Sequence, residues 1–270
     1  MIADVLRIYG EEVAPGMKSA RLIAYHISNL LKWWGDKTAA QITMRTCKEF
    51  CATRPSQAAI ADLKILKAGT DYWHRSEYGP LNFIPIYWKP KPNPPRDRWL
   101  TRSEAARLLK AAKPYLHLRR MILLGLYTGS RPGVILNLRW DQISLGSSVM
   151  SRVTARSLRD DKKRAPPVRL GRRILAHLKR WKTLDGDIEF VCHFEGRAVA
   201  DPHASWRKVI KAAGLPGVTR HTLRHTRATW MAQAGVPLWE AAGFLGMTVK
   251  TLERTYAHHH PDWQERAANI

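Results

Sequence analysis

Apolar residues recur at helical spacing through most of the chain. Ile23, Ile27, Leu30, Leu31 and Trp34 fall at steps of three and four, and Ile60, Leu63, Ile65, Leu66, Tyr72 and Trp73 repeat the pattern less regularly. With Gly35 and Gly69 near the expected helix ends, the first 88 residues predict four or five short helices and no strand. Further on, Thr101-Arg-Ser-Glu104 is a capping box that opens a helix through Leu108 and Leu109. His117 to Tyr127 reads as a largely buried helix, broken by Thr128-Gly-Ser-Arg-Pro-Gly133 and followed by a short helix over Val134 to Leu138. Residues 142–145, 150–154 and 167–170 suit a small antiparallel sheet, and Ile188 to Cys192 a short strand. Helices are expected again at 172–182, 203–213, 221–234, 237–245 and 249–257. The pattern predicts a fold that is mainly α with a small antiparallel β-sheet.

The strongest punctuation is Lys89-Pro-Lys-Pro-Asn-Pro-Pro-Arg96, where four prolines remove backbone donors and favour an extended chain. It predicts an all-helical domain over residues 1–88, a linker over 89–98 and an α+β domain over 99–270. Charge adds a partner class. The chain of 270 residues carries 45 Lys plus Arg against 22 Asp plus Glu, a formal charge of +23. Residues 1–95 account for +5 of this and residues 96–270 for +18. Such an excess favours a polyanionic partner, nucleic acid first, with most phosphate contacts in the second region. Three cysteines, Cys47, Cys51 and Cys192, cannot build a disulfide framework, so a reduced, cytoplasmic setting is expected. No apolar run approaches the roughly 18 residues of a membrane span, and no membrane partner is expected.

Chemistry-bearing residues cluster in the second region. Arg131 lies on the turn after the buried helix. His221, Arg224 and His225, spaced by three and four, share one helical face. Asp161-Lys162-Lys163-Arg164 lies between two expected strands, and Tyr256 ends an apolar-periodic helix just before His258-His259-His260. His221 and His225 lack the Glu that a zinc-protease pair needs after the first His, since Thr222 stands there. Cys47 and Cys51, four apart without a second pair, read as buried thiols. Trp33, Trp34, Trp73 and Trp230 read as core, and Trp88 and Trp99 flank the linker as lesser candidates for DNA contact.

In their order and spacing these segments resemble the tyrosine recombinases. Tyr127-Thr-Gly-Ser-Arg131-Pro-Gly-Val-Ile-Leu-Asn-Leu-Arg-Trp140-Asp is similar to the family's first-arginine motif, and His221-Thr-Leu-Arg224-His225 to its His-x-x-Arg motif. Leu245-Gly-Met247 through Arg254-Thr-Tyr256 is similar to the segment that ends in the nucleophile. The resemblance covers about residues 100–260, and residues 1–88 more loosely resemble the family's SAM-like core-DNA-binding domain. It implies a site-specific recombinase of the phage or mobile-element integrase type, clamping double-stranded DNA between its two domains. Arg131 and Arg224 would fork onto a scissile phosphate and Tyr256 would attack it to form a 3′-phosphotyrosine. His221 would accept or relay protons, and a lysine, Lys162 first and Lys163 second, would protonate the leaving 5′-oxygen. No metal or other cofactor is implied. The active assembly would be a homotetramer on DNA, with residues 257–270 docking on a neighbouring protomer and with accessory DNA-bending or directionality proteins as further partners. An additional arm-site-binding domain is not expected before residue 1, as in simple integrases or in a truncated chain.

Three positions depart from the family pattern. Val134 replaces an acid that braces the arginine, Arg169 a proline in the third strand, and Met247 a His or Trp that can donate to the phosphate. A thioether cannot donate, so reduced or rewired phosphate stabilisation is expected, with His225 or one of His258 to His260 as substitute. Two other readings stand beside the first: a catalytically impaired DNA-binding relative, and a type IB topoisomerase, which shares the pocket.

Overall fold

The computed structural model describes residues 1–76, 78, 85–93, 98–153, 166–260 and 265–269. The chain divides into two compact units, Met1–Arg96 and Asp97–Ile270.

The first unit holds helices α1 (Ile2–Ile8), α2 (Ala20–Trp34), α3 (Met44–Ala52) and α4 (Ser56–Arg75). Ile23, His26, Leu30 and Trp34 line the buried stripe of α2. The core gathers Leu6, Leu30, Trp34, Cys47, Phe50, Leu63 and Leu66. Trp33 and Trp88 pack against its edge, Trp88 beneath the ammonium of Lys48. Burial raises the pKa of the Cys47 and Cys51 thiols. Gly69 does not end a helix as expected. It lies inside α4 on the face that meets α1, where an added Cβ would touch Leu6 and Val5 at 3.6 Å. Asp62, fully buried on α4, is paired with His26 at 2.6 Å and Arg54 at 2.8 Å. The apolar periodicity gave no sign of that internal charge.

The second unit begins with α5 (Arg102–Ala111), whose capping box is formed: Thr101 Oγ1 accepts from the Glu104 amide. Helix α6 (Leu116–Thr128) is almost wholly enclosed and ends at Gly129, whose left-handed φ of +61° lets the chain turn sharply. A short α7 (Pro132–Leu136) comes next, two residues earlier than the spacing predicts, because Arg131 caps it and Pro132 takes the first helical position. Strands β1 (Ile143–Ser144), β2 (Val149–Met150) and β3 (Val168–Arg169) form an antiparallel sheet in that order. Ile143 faces Met150, and Met150 faces Val168. The segment expected to carry Lys162 and Lys163 lies outside the described residues, as does part of the linker.

Helix α8 (Arg172–Asp185) leads to a second correction. The strand expected over Ile188 to Cys192 is reduced to a single bridge between Phe190 and Arg139. The ladder lies just beyond it, where β4 (His193–Phe194) and β5 (Arg197–Ala198) make a tight hairpin. Its two central residues, Glu195 and Gly196, both take positive φ, as the tightest hairpin turns require. Glutamate at such a position carries no turn signal, which is why the pattern missed it. Then come α9 (His203–Ala213), α10 (Thr222–Gln233), α11 (Leu238–Leu245), α12 (Val249–Tyr256) and α13 (Glu265–Ala268).

A buried polar hub ties α6 to the end of α8 and to the β4 strand. Arg120 is 2% exposed and grips Asp185 through two bonds of 2.6 and 2.8 Å, while Trp140 and His193 bond the same carboxylate. Burial works to raise the Asp185 pKa, but the hydrogen bonds from Arg120 and His193 outweigh it and the net shift is downward. Cys192 is enclosed beside this hub, and burial pushes its thiol up to about 12. Among the described residues no helix is long and apolar enough to cross a membrane.

Candidate active site

Three elements of the second unit converge: the turn between α6 and α7, the first turn of α10, and the α11–α12 corner. Arg131 caps α7, and its Nη2 reaches the carbonyl of Gly246 at 3.4 Å. Arg224, 8% exposed in α10, donates to the Gly129 carbonyl at 2.8 Å and to the Leu245 carbonyl at 2.6 Å. The two guanidiniums thus cap the C-terminal ends of α6 and α11. These ends carry partial negative charge, which offsets part of the repulsion between two cations held close together. Burial, then Arg131, lowers the Arg224 pKa to about 10, while Tyr256 works the other way.

Tyr256 is the last residue of α12 and is 4% exposed. It packs with Met231, Leu245 and Leu252, and its hydroxyl lies 2.5 Å from His225 Nδ1. With the ring proton on Nε2, Nδ1 accepts from the phenol. His221 caps α10 at the solvent edge, with its carbonyl accepting from the Arg224 and His225 amides. Partial burial of its ring, then Arg224, Arg131 and Arg220, lowers its pKa and favours neutral imidazole.

Met247 comes after Gly246, which turns the chain in a left-handed conformation at the end of α11. Its side chain packs against the apolar cluster that holds Tyr256. His259 stands edge-on to Trp99, at 5.9 Å between ring centres, and Trp99 itself packs on the core of this unit. His225 lies at the phenol. Val134 lies in α7 and its amide donates to the Arg131 carbonyl at 2.9 Å. Among the described residues, no group of three or more His, Cys, Asp or Glu side chains is arranged to hold a metal ion.

Sequence reading overlooked two further arginines. Arg152 is 3% exposed and donates to the carbonyls of Thr128 at 3.3 Å and Phe244 at 2.6 Å. Arg227, on α10, stacks over Phe244 at 5.2 Å. The one available signal was alternation: Arg152 lies two residues past the buried Met150, just beyond the end of β2.

Residues 98–262 match the Phage integrase family. The integrase of Salmonella phage P22 is 29% identical over 225 residues, a stretch that covers 77% of this chain and 57% of that relative. The chain therefore spans just over half the length of that relative. Two solved structures share the fold. The Tn1549 transposon integrase in complex with transposon right end DNA superposes with a TM-score of 0.76 at 13% identity, covering 99% of this chain and 98% of that one. A lambda integrase tetramer bound to a Holliday junction gives 0.73 at 18% identity, covering 96% and 78%. Because the family match takes in the Arg131 turn, the His-x-x-Arg helix and the tyrosine helix, more than half of the chain, the chain belongs to the phage integrase family.

Proposed function

We propose that this protein is a site-specific DNA recombinase that cleaves and rejoins duplex DNA through a 3′-phosphotyrosyl intermediate, serving integration or excision of a phage or other mobile element. The observation that carries the reading is a buried tyrosine, with a histidine on its hydroxyl, at the end of the helix that follows the corner whose Leu245 and Gly246 carbonyls accept from Arg224 and Arg131. Residues 99–270 are the catalytic domain on this reading and residues 1–88 a core-DNA-binding domain. The substrate is double-stranded DNA, a reading supported by the Tn1549 integrase bound to its transposon right end. The tetrameric lambda integrase supports a homotetramer as the working assembly.

The chemistry follows from the side chains. Arg131 and Arg224 offer forked donors to the non-bridging oxygens of one phosphate and stabilise the charge that builds in the transition state. A free phenol titrates near 10 and is mostly neutral at pH 7. Its proton must leave as the oxygen attacks, and His225 Nδ1 is placed to take it. His221, whose lowered pKa favours the neutral form, accepts or relays a proton nearby. The new O–P bond forms as the bond to the 5′-oxygen breaks. Lys162, with Lys163 as second choice, donates the proton that the departing oxygen needs. The phosphotyrosine keeps the energy of the broken linkage, so attack by a new 5′-hydroxyl reseals the strand without ATP.

A nicked duplex drawn from the DNA flanking the coding region tests this. The wild-type chain is expected to form an SDS-resistant protein–DNA adduct, and Tyr256→Phe to form none while binding the same DNA. Binding without an adduct in the wild type would indicate a catalytically impaired DNA-binding relative. Relaxation of any supercoiled plasmid, with no site requirement, would indicate a topoisomerase.

A further inference from the structure

Three consecutive carbonyls at the end of α11 accept from three different arginines. Phe244 O receives Arg152 at 2.6 Å, Leu245 O receives Arg224 at 2.6 Å, and Gly246 O receives Arg131 at 3.4 Å. At the end of α6 the pairing repeats: Thr128 O receives Arg152 at 3.3 Å and Gly129 O receives Arg224 at 2.8 Å. Arg152 and Arg224 thus each straddle the same two helix ends, one step apart. Arg224 belongs to the site as proposed above. Arg152 comes from the sheet, and nothing in the motifs points to it.

We infer that Arg152 is a positioning residue for strand cleavage, clamping the α11–α12 corner that leads to Tyr256 onto the turn that carries Arg131. The inference rests on the recombinase reading and deepens it. Thr128 lies three residues before Arg131, and Phe244 three residues before Met247. A guanidinium can fork across two carbonyls on separate helices, whereas an ammonium acts as a single point donor. Phe244 is held on two sides, with Arg152 5.9 Å and Arg227 5.2 Å from its ring centre. The nucleophile helix begins five residues beyond the clamped carbonyl, at Val249.

The placement is hard to explain by stability alone. The Arg152 side chain is enclosed, and among the described residues its Nε has no hydrogen-bond partner and its other partners are neutral carbonyls. Burial, then Arg224 and Arg131, pulls its pKa down to about 10, so the cation is held against both desolvation and like charge. An apolar side chain of similar length usually serves a buried site as well or better where only packing is at stake. Groups held uphill in this way concentrate at functional sites. Here the arrangement keeps two catalytic turns in register before DNA binds, and an incoming phosphodiester relieves the repulsion.

The test compares Arg152→Met and Arg152→Lys with the wild-type full chain on the nicked duplex described above. Adduct rate, DNA affinity and melting temperature are measured for each. A misplacement of about 1 Å at a reacting centre costs roughly 10²-fold in rate. Arg152→Met is expected to slow adduct formation by about that factor, with DNA affinity within about threefold of wild type. Arg152→Lys, which keeps one of the two bonds, should fall between. A folded Arg152→Met that cleaves at the wild-type rate overturns the inference. So does a loss of rate matched by an equal loss of affinity, which would make Arg152 a plain phosphate contact. If Arg152→Met does not fold, Arg152→Lys decides: a wild-type rate overturns the inference, and a slowed rate at unchanged affinity supports it. Absence of an adduct from the wild type would sink the recombinase reading itself, a distinct outcome.

Discussion

His221 is surrounded by cations, and this sets the sign of its response to pH. Arg224, Arg131 and Arg220 all act with burial to lower its pKa below the ordinary histidine value of 6.5. The neutral form that can accept a proton is therefore kept to lower pH than in a free imidazole. Cleavage should lose rate on the acid side only below about 6.5. Arg220 is paired with Asp201 at 3.1 Å and lies outside the proposed chemistry. Arg220→Ala removes one of the repelling charges, so the acid limb should move upward, toward 6.5. A pH–rate profile of both proteins checks this; a limb that stays or moves down would mean that His221 does not set it. The resemblance named His221, Arg131, Arg224 and Tyr256 from short local patterns, each of at most fifteen residues. Arg152 belongs to no such pattern, because its partners, Thr128 and Phe244, lie 24 and 92 residues away.

Helix ends carry much of the architecture around the site, and they differ in how openly they announce themselves. The Thr101–Glu104 box is a local signal that opens α5, whereas α7 starts two residues before the expected Val134 because Pro132 takes its first position. Gly69, by contrast, reads as a terminator but serves a helix crossing, because only the position of α1 reveals its purpose. Gly129 is both a terminator and a close approach. It takes φ +61°, and a Cβ there would come within 2.3 Å of Leu245 Cδ2 and 3.2 Å of Arg227 Cγ. Gly129→Ala must therefore adopt a strained conformation and push α11 away from α6. A destabilisation of about 2–4 kcal/mol is expected from the backbone and overpacking terms together. Denaturant unfolding measures it. Because the displaced carbonyls are those held by Arg224 and Arg152, cleavage should fall further than stability alone predicts.

On the scale of the whole chain, the two units differ in charge far more than in size. The second region carries +18 of the +23 total, and it also contains the proposed site. Binding to DNA should therefore be strongly salt-dependent. For a protein making about 6–10 phosphate contacts, affinity drops by about 10³–10⁵ between 50 and 200 mM salt. A plot of log affinity against log salt concentration with a slope near zero would show that the excess charge does not face the DNA. The boundary between the two units, at Arg96 and Asp97, falls at the end of the proline-rich segment, whose signal is a local property of composition. The two polar hubs, Asp62 with His26 and Arg54, and Asp185 with Arg120, have no such local signal. Their members are spread over 36 and 65 residues, and each charged side chain taken alone resembles an ordinary surface residue.

The enclosure of Tyr256 has a chemical consequence. At 4% exposure its ring is sheltered from nitrating and iodinating reagents, whereas Tyr25, at 56%, stands open to them. Oxidative damage to surface tyrosines would thus spare the proposed nucleophile. Labelling that begins at residue 256 only after DNA is added would report the moment at which the phenol is released for attack.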